Sequence, residues 1–225
     1  MRVERQLGRD ELLENLEAVG RILDEHGIEA NIYVIGGAAI ALTINNRRTT
    51  SDVDAIVKTS NDAFRAAARM VAVQRNLPDD WCLDDVTEFI SRNPVGVETP
   101  IVYPGLSILV ASPEHLLAMK VRAATARQAD DLADIVYLAN YLGLDDPAEI
   151  ASLTSKQFAG AYKDSIGEDE YIDTIEFAFL EAQLIEEAQG RLAVNAAIGS
   201  NEVQEREEDM WYDYISEEQS PPWRG

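Results

Sequence analysis

The sequence predicts an α+β chain: short apolar strands separated by helices, followed by a helical C-terminal part. Three observations predict it. Short apolar runs stand at 32–35, 53–57 and 106–110, of strand rather than helix length. Between and after them, apolar residues return at spacings of three and four. Gly, Pro and Ser punctuate the joints, as at Gly27, Gly36-Gly37, Ser112-Pro113 and Gly143.

The elements follow in order. Residues 9–26 place Leu12, Leu13, Leu16, Val19, Ile22 and Leu23 on a helical stripe, with acids in the first turns, where the helix dipole favours them. Gly27 ends that helix. The run 32–35 is too continuous for a half-exposed edge and reads as a buried strand. Gly36-Gly37 breaks it, and AAIALTI continues as a helix. A polar loop, 45–51, carries Arg47 and Arg48, and the second strand, 53–57, follows. A helix over 61–74 is expected next, with Asn61 or Ser60 as its cap. Residues 77–80 make a turn, 81–90 read as a short helix capped near Asp84, and 92–105 have the Pro and Gly content of a hairpin or loop. The third strand is 106–110. Ser112-Pro113-Glu114 then starts a helix, Ser as cap and Pro in the first position. Further helical stretches fall at 130–142, 147–163 and 168–198.

The chain has 225 residues, enough for one large domain or a domain with a helical appendage. Its formal net charge of -22 argues against a surface that grips nucleic acid by charge alone, which requires clustered Lys and Arg. After residue 165 there are sixteen acids and three arginines, so about 13 of those 22 charges belong to the C-terminal part. The final stretch from Gly199 is acidic and aromatic, with Trp211, Tyr212, Tyr214 and Trp223. It reads as a solvated tail or as a segment that docks on a protein partner.

The single cysteine, Cys82, excludes an internal disulfide and a cysteine metal cluster, and reads as a small packed residue beside Trp81. The N-terminal segment is charged and amphipathic where a signal peptide needs an apolar core, and no run has the length of a membrane span. The expectation is a soluble cytoplasmic protein with no membrane partner. His26 and His115 have no metal-like spacing and read as surface or helix-capping residues.

The chemistry concentrates in residues 31–57, NIYVIGGAAIALTINNRRTTSDVDAIV. Asp52 and Asp54 are two apart on a strand, so both carboxylates point to one face. Such a pair offers hard oxygen ligands to Mg2+, which keeps positions open for substrate phosphates. Gly36 and Gly37 let backbone N–H groups approach a phosphate chain, and the helix start behind them favours its negative charge. Thr50 and Ser51 add hydroxyls beside that path. Either motif alone is common; strand, Gly-Gly, helix, hydroxyl-rich loop and D-x-D strand in that order form a rarer combination.

This combination resembles the signature of the DNA polymerase beta-like nucleotidyltransferase superfamily. Within it, GGAAIAL followed by Arg48-x-Thr50-x-Asp52-x-Asp54 resembles the bacterial branch grouped around the AbiEii-type toxins. The later run Val110-Ala-Ser-Pro-Glu-His-Leu-Leu-Ala-Met-Lys120, then Arg127 and Asp130-Asp131-x-x-Asp134-Ile135, is similar to that branch too, so the likeness spans about 31–143. It implies a small mixed sheet with flanking helices; the residue pattern sets that domain at 1–145, with a helical extension over 146–198 and the acidic tail over 199–225. It also implies Asp52 and Asp54 as Mg2+ ligands and catalytic residues, Gly36 and Gly37 at the triphosphate, and Lys120 as a nucleotide phosphate contact, with Arg48, Thr50 and Ser51 on the nucleotide side.

The activity implied is Mg2+-dependent transfer of a nucleoside monophosphate from NTP to an acceptor hydroxyl on RNA or protein, in a toxin–antitoxin or phage-defence setting. A cognate antitoxin would then be a partner. Lys120, Ala124, Arg127 and Asp131 would share a helix face if one helix ran unbroken from Pro113. One departure stands out: many superfamily members carry a third carboxylate on a neighbouring strand, and LSILV has none. Glu98, Asp84 or Asp85 are the loop candidates. Two alternatives therefore remain, a catalytically weak or inactive interaction module or antitoxin, and a transferase acting on a small molecule of the aminoglycoside type.

Overall fold

The protein is an α+β structure built on a mixed sheet. The computed structural model describes residues 5–45, 48–83, 100–127, 132–159 and 166–191. In chain order the elements are α1 (Arg9–Glu25), β1 (Ala30–Val34), α2 (Gly36–Thr43), β2 (Val53–Thr59), α3 (Asn61–Arg75) and β3 (Cys82–Leu83). Then come β4 (Ile101–Tyr103), β5 (Leu106–Val110), α4 (Pro113–Arg127), α5 (Leu132–Leu142) and α6 (Pro147–Phe158), and residues 168–191 form α7.

Among the described residues the sheet has five strands in the order β3-β2-β1-β5-β4. Central β1 runs antiparallel to β2 and parallel to β5, while β3 is parallel to β2 and β4 antiparallel to β5. Paired residues share a face, so register sorts the side chains. Val34 pairs with Ala55 and with Val110, and Ile32 with Val57 and Ile108. That face is apolar, and α1, α2 and α3 cover it: α1 packs on β5 and on both other helices, and α2 packs on β2. Gly20 of α1 lies where a side chain would strike the Pro104 carbonyl, which is how the helix comes so close to the β4–β5 turn.

Tyr33, Ile56 and Leu109 are in register on the opposite face, to which Asp54 also belongs. There α4 lies over β1, and α5 and α6 pack on α4. Because α4 is buried nearly all round, from His115 to Ala124, its sequence shows little helical stripe. Tyr171 and Ile175 at the start of α7 are buried, Thr125 Oγ1 lies 2.9 Å from Thr174 Oγ1, and Arg122 stacks 4.5 Å from the Phe158 ring centre. Residues Met1–Ala178 form one compact unit. Beyond it the described residues, 179–191, are helical. Among the described residues no helix is long and apolar enough to cross a membrane.

Several sequence expectations meet a different structure. Residues 81–90 were expected to be a short helix, but Cys82–Leu83 is a strand paired with Val53 and Asp54, and 84–90 lie outside the described residues. The cause is tertiary. Trp81 is buried, donates its indole N–H to the Ala68 carbonyl at 3.0 Å and accepts from Val53 N at 2.7 Å, which leaves the next residues along the open edge of β2. Ser60 does stand at the cap position of α3, but its hydroxyl bonds the Glu29 carbonyl at 2.9 Å and makes no cap hydrogen bond. Ser112 caps α4 as expected, accepting from His115 N at 3.2 Å.

Candidate active site

The site begins where β1 stops. Ile35 is extended, and Gly36 turns the chain at φ +65°, a conformation that favours glycine, to start α2 at once. The reversal backs directly onto the entrance of β2. A methyl group on Gly36 would collide with Asp54 Oδ2, and one on Gly37 would stand 2.8 Å from Thr50 Oγ1. Ile35 N donates to the Asp54 carbonyl at 3.0 Å, so the turn and the D-x-D strand are fixed to each other through the backbone as well.

Thr50 is fixed from the other side. Its N–H and carbonyl bond Leu7 at 3.1 and 2.7 Å, forming an isolated bridge with the segment that leads into α1. Its hydroxyl donates to Asp52 Oδ1 at 3.4 Å, and Thr50, Ser51, Asp52 and Asp54 are all half-buried. The structure thus gathers Gly36, Gly37, Thr50, Ser51, Asp52 and Asp54 around one turn. All of them come from the single stretch 35–54.

Arg48, from the same loop, and Lys120, from α4, meet on one acid of α5. Arg48 donates to Asp134 Oδ1 at 2.6 Å, and Lys120 Nζ lies 3.0 Å from Asp134 Oδ2. Asp134 is 14% exposed. Burial by itself would raise its carboxyl; hydrogen bonds and charge from Arg48 and Lys120 more than offset that and hold it below the usual carboxylate range. Separate helices α4 and α5 pack against each other, so Lys120 reaches an acid across a helix pair and not along one helix face. Asp131 lies outside the described residues, as does the Arg127 side chain.

His115 is neither a surface nor a capping side chain. It is fully buried, edge-on to Tyr33 with ring centres 6.0 Å apart, and its Nδ1 is 3.3 Å from Gln157 Oε1 on α6. Its Nε2 is buried and, among the described residues, has no hydrogen-bond partner. Burial pushes the imidazole below its ordinary value, which the Gln157 contact partly opposes. The signal for this was the apolar, unstriped run around it, which marks a helix buried on every side. His26 does sit at the end of α1, where its Nδ1 lies 2.8 Å from the Ile22 carbonyl.

Two carboxylates presented together suit a hard divalent cation such as Mg2+, which binds through one or two acids plus substrate phosphates. Among the described residues no group of three or more His, Cys, Asp or Glu could hold a metal. On the Asp54 side of the sheet β5 offers Ser107 and Leu109, not an acid. Asp84, Asp85, Glu98 and Arg47 lie outside the described residues. Sequence reasoning gave Asp134 no role, although it is the residue that joins the two cations.

No protein-family model and no curated protein matches the chain. Among solved structures, the chain is similar to the crystal structure of an antigenic nucleotidyltransferase-like protein from Paracoccidioides brasiliensis. The two share 16% identity over 60% of this chain and 78% of that one, with a TM-score of 0.36. A likeness that distant assigns neither chemistry nor substrate.

Proposed function

We propose that the chain is a Mg2+-dependent nucleotidyltransferase, moving a nucleoside monophosphate from NTP to an acceptor hydroxyl. The observation that carries this reading is the packing of the Gly36-Gly37 turn, at the start of α2, against the Asp54 carboxylate and the Thr50 hydroxyl. In the reaction the acceptor oxygen bonds the α-phosphorus, the α–β bridging bond breaks, and pyrophosphate leaves. Asp52 and Asp54 would hold the metal, which when bound supplies charge neutralisation at the triphosphate and at the attacking oxygen.

The other roles belong to the chain. The Gly36 and Gly37 N–H groups bind phosphate oxygens at the start of α2, and the Thr50 and Ser51 hydroxyls flank the same path. Thr50 also orients Asp52 through its hydroxyl. Arg48 and Lys120 contribute positive charge for the departing pyrophosphate. A toxin or phage-defence role, with RNA or protein as acceptor and an antitoxin as partner, rests only on the resemblance of the 31–143 motifs to AbiEii-type proteins.

The test is incubation of the purified protein with Mg2+, each α-labelled NTP and cellular RNA and protein. Label should become acid-precipitable, and Asp52→Asn or Asp54→Asn should reduce it about a hundredfold or more. Transfer that survives both substitutions removes the reading. The absence of an acid on β5 favours a second one, a nucleotidyltransferase-like module that binds nucleotide without transferring it. That module would bind NTP in the same assay mixture and leave every acceptor unlabelled.

A further inference from the structure

Arg48 and Lys120 share one acid that the transfer reading does not use. Asp134 gives a different oxygen to each: Oδ1 to Arg48 at 2.6 Å, Oδ2 to Lys120 at 3.0 Å. Arg48 comes from the loop before Thr50, Lys120 from α4 and Asp134 from α5, so a single carboxylate joins three separate parts of the chain. Two like charges repel when brought together, and in a partly buried place that repulsion is only weakly screened. An anion placed between them removes it.

We propose that Asp134 is a positioning residue: it holds the Arg48 guanidinium and the Lys120 ammonium together as a preformed receptor for the phosphate chain of the nucleotide. This rests on the nucleotidyltransferase reading for its ligand, but not for its test. Arg48 is two residues before Thr50 and four before Asp52, so fixing it also fixes the loop that presents both. A guanidinium held in place loses less freedom when it meets an anion than one that must first be ordered.

Opposite signs separate this from a plain charge effect. If only net charge mattered, neutralising Asp134 would strengthen anion binding, since one negative charge is removed beside two cations. Positioning requires the reverse. The experiment is calorimetric titration of inorganic tripolyphosphate, without metal, into the full chain and into Asp134→Asn, Asp134→Glu, Arg48→Gln and Lys120→Gln, with thermal unfolding of each.

Arg48→Gln, Lys120→Gln and Asp134→Asn should each weaken binding about tenfold, the loss expected for one charge-assisted contact. Asp134→Glu, which keeps two oxygens, should recover part of the Asp134→Asn loss at an unfolding temperature near that of Asp134→Asn. That recovery is what a merely stabilising acid would not give. Failure of nucleotide transfer by the parent chain with this binding pattern intact would count against the transferase reading alone. Equal or tighter binding by Asp134→Asn overturns the proposal, and so does a parent chain that does not bind tripolyphosphate.

Discussion

At the residue scale, the account depends most on Gly36. Its φ of +65° is a conformation L side chains adopt at a cost, and the space where a Cβ would stand belongs to the Asp54 carboxylate. Gly36→Ala should therefore act twice. Denaturant unfolding should show a loss of about 1–3 kcal/mol, from backbone strain and from the displaced carboxylate. Nucleotide transfer should fall by more than the folded fraction explains, because Asp54 must move. A variant as stable and as active as the parent would mean the turn is not held against Asp54. Gly36, Gly37, Asp52 and Asp54 were legible in the sequence because each signal is local. Asp134 stood in the sequence only as part of the Asp130-Asp131-x-x-Asp134-Ile135 motif; its bond to Arg48 joins residues 86 apart, and helical spacing says nothing about such a pair.

Among the elements, α4 connects the two halves of the account. It carries Lys120 toward the site loop and His115 onto Tyr33. The same burial that fixes the helix makes His115 pH-sensitive. Its folded-state pKa is lowered, so below the ordinary histidine value of about 6.5 the unfolded chain takes up a proton that the folded chain resists. The associated stability is fully present above that value and declines as pH falls below it. Urea unfolding at pH 7.5 and pH 5.5 should show a drop in the parent that His115→Gln reduces; an unchanged drop would place the sensitive group elsewhere.

Element boundaries show why some of the fold was readable. Ser112-Pro113 starts α4 as its residue types require, and Ser112 accepts the cap hydrogen bond. Ser60 looks equivalent in sequence, but a carbonyl on Glu29 competes for its hydroxyl. The strand at Cys82–Leu83 escaped for a similar reason. Two residues carry no periodicity, and their state is set by the unpaired edge of β2 and the buried Trp81.

At the scale of the whole molecule, the chain carries a net charge of -22, and within it Arg48 and Lys120 meet on one acid. An acidic protein can bind a polyanion only where such local features, or a metal, outweigh its overall field. The sheet order supplies that place: β1 and β2 are antiparallel neighbours, so the end of one and the start of the other meet, and Asp54 of β2 faces the turn that follows β1. The α+β class and this juxtaposition followed from the order strand, Gly-Gly, helix, loop, D-x-D. The layering of α4, α5 and α6 on the other face did not: α4 is buried nearly all round and leaves no stripe to read, and the stripes of α5 and α6 do not say which surface they cover.

Titration of NTP into the parent chain and into the Asp52→Asn, Asp54→Asn double variant, each with and without Mg2+, tests the central claim most directly. The account predicts binding that Mg2+ strengthens about tenfold or more in the parent and does not strengthen in the double variant. An equal Mg2+ effect in both proteins would contradict it.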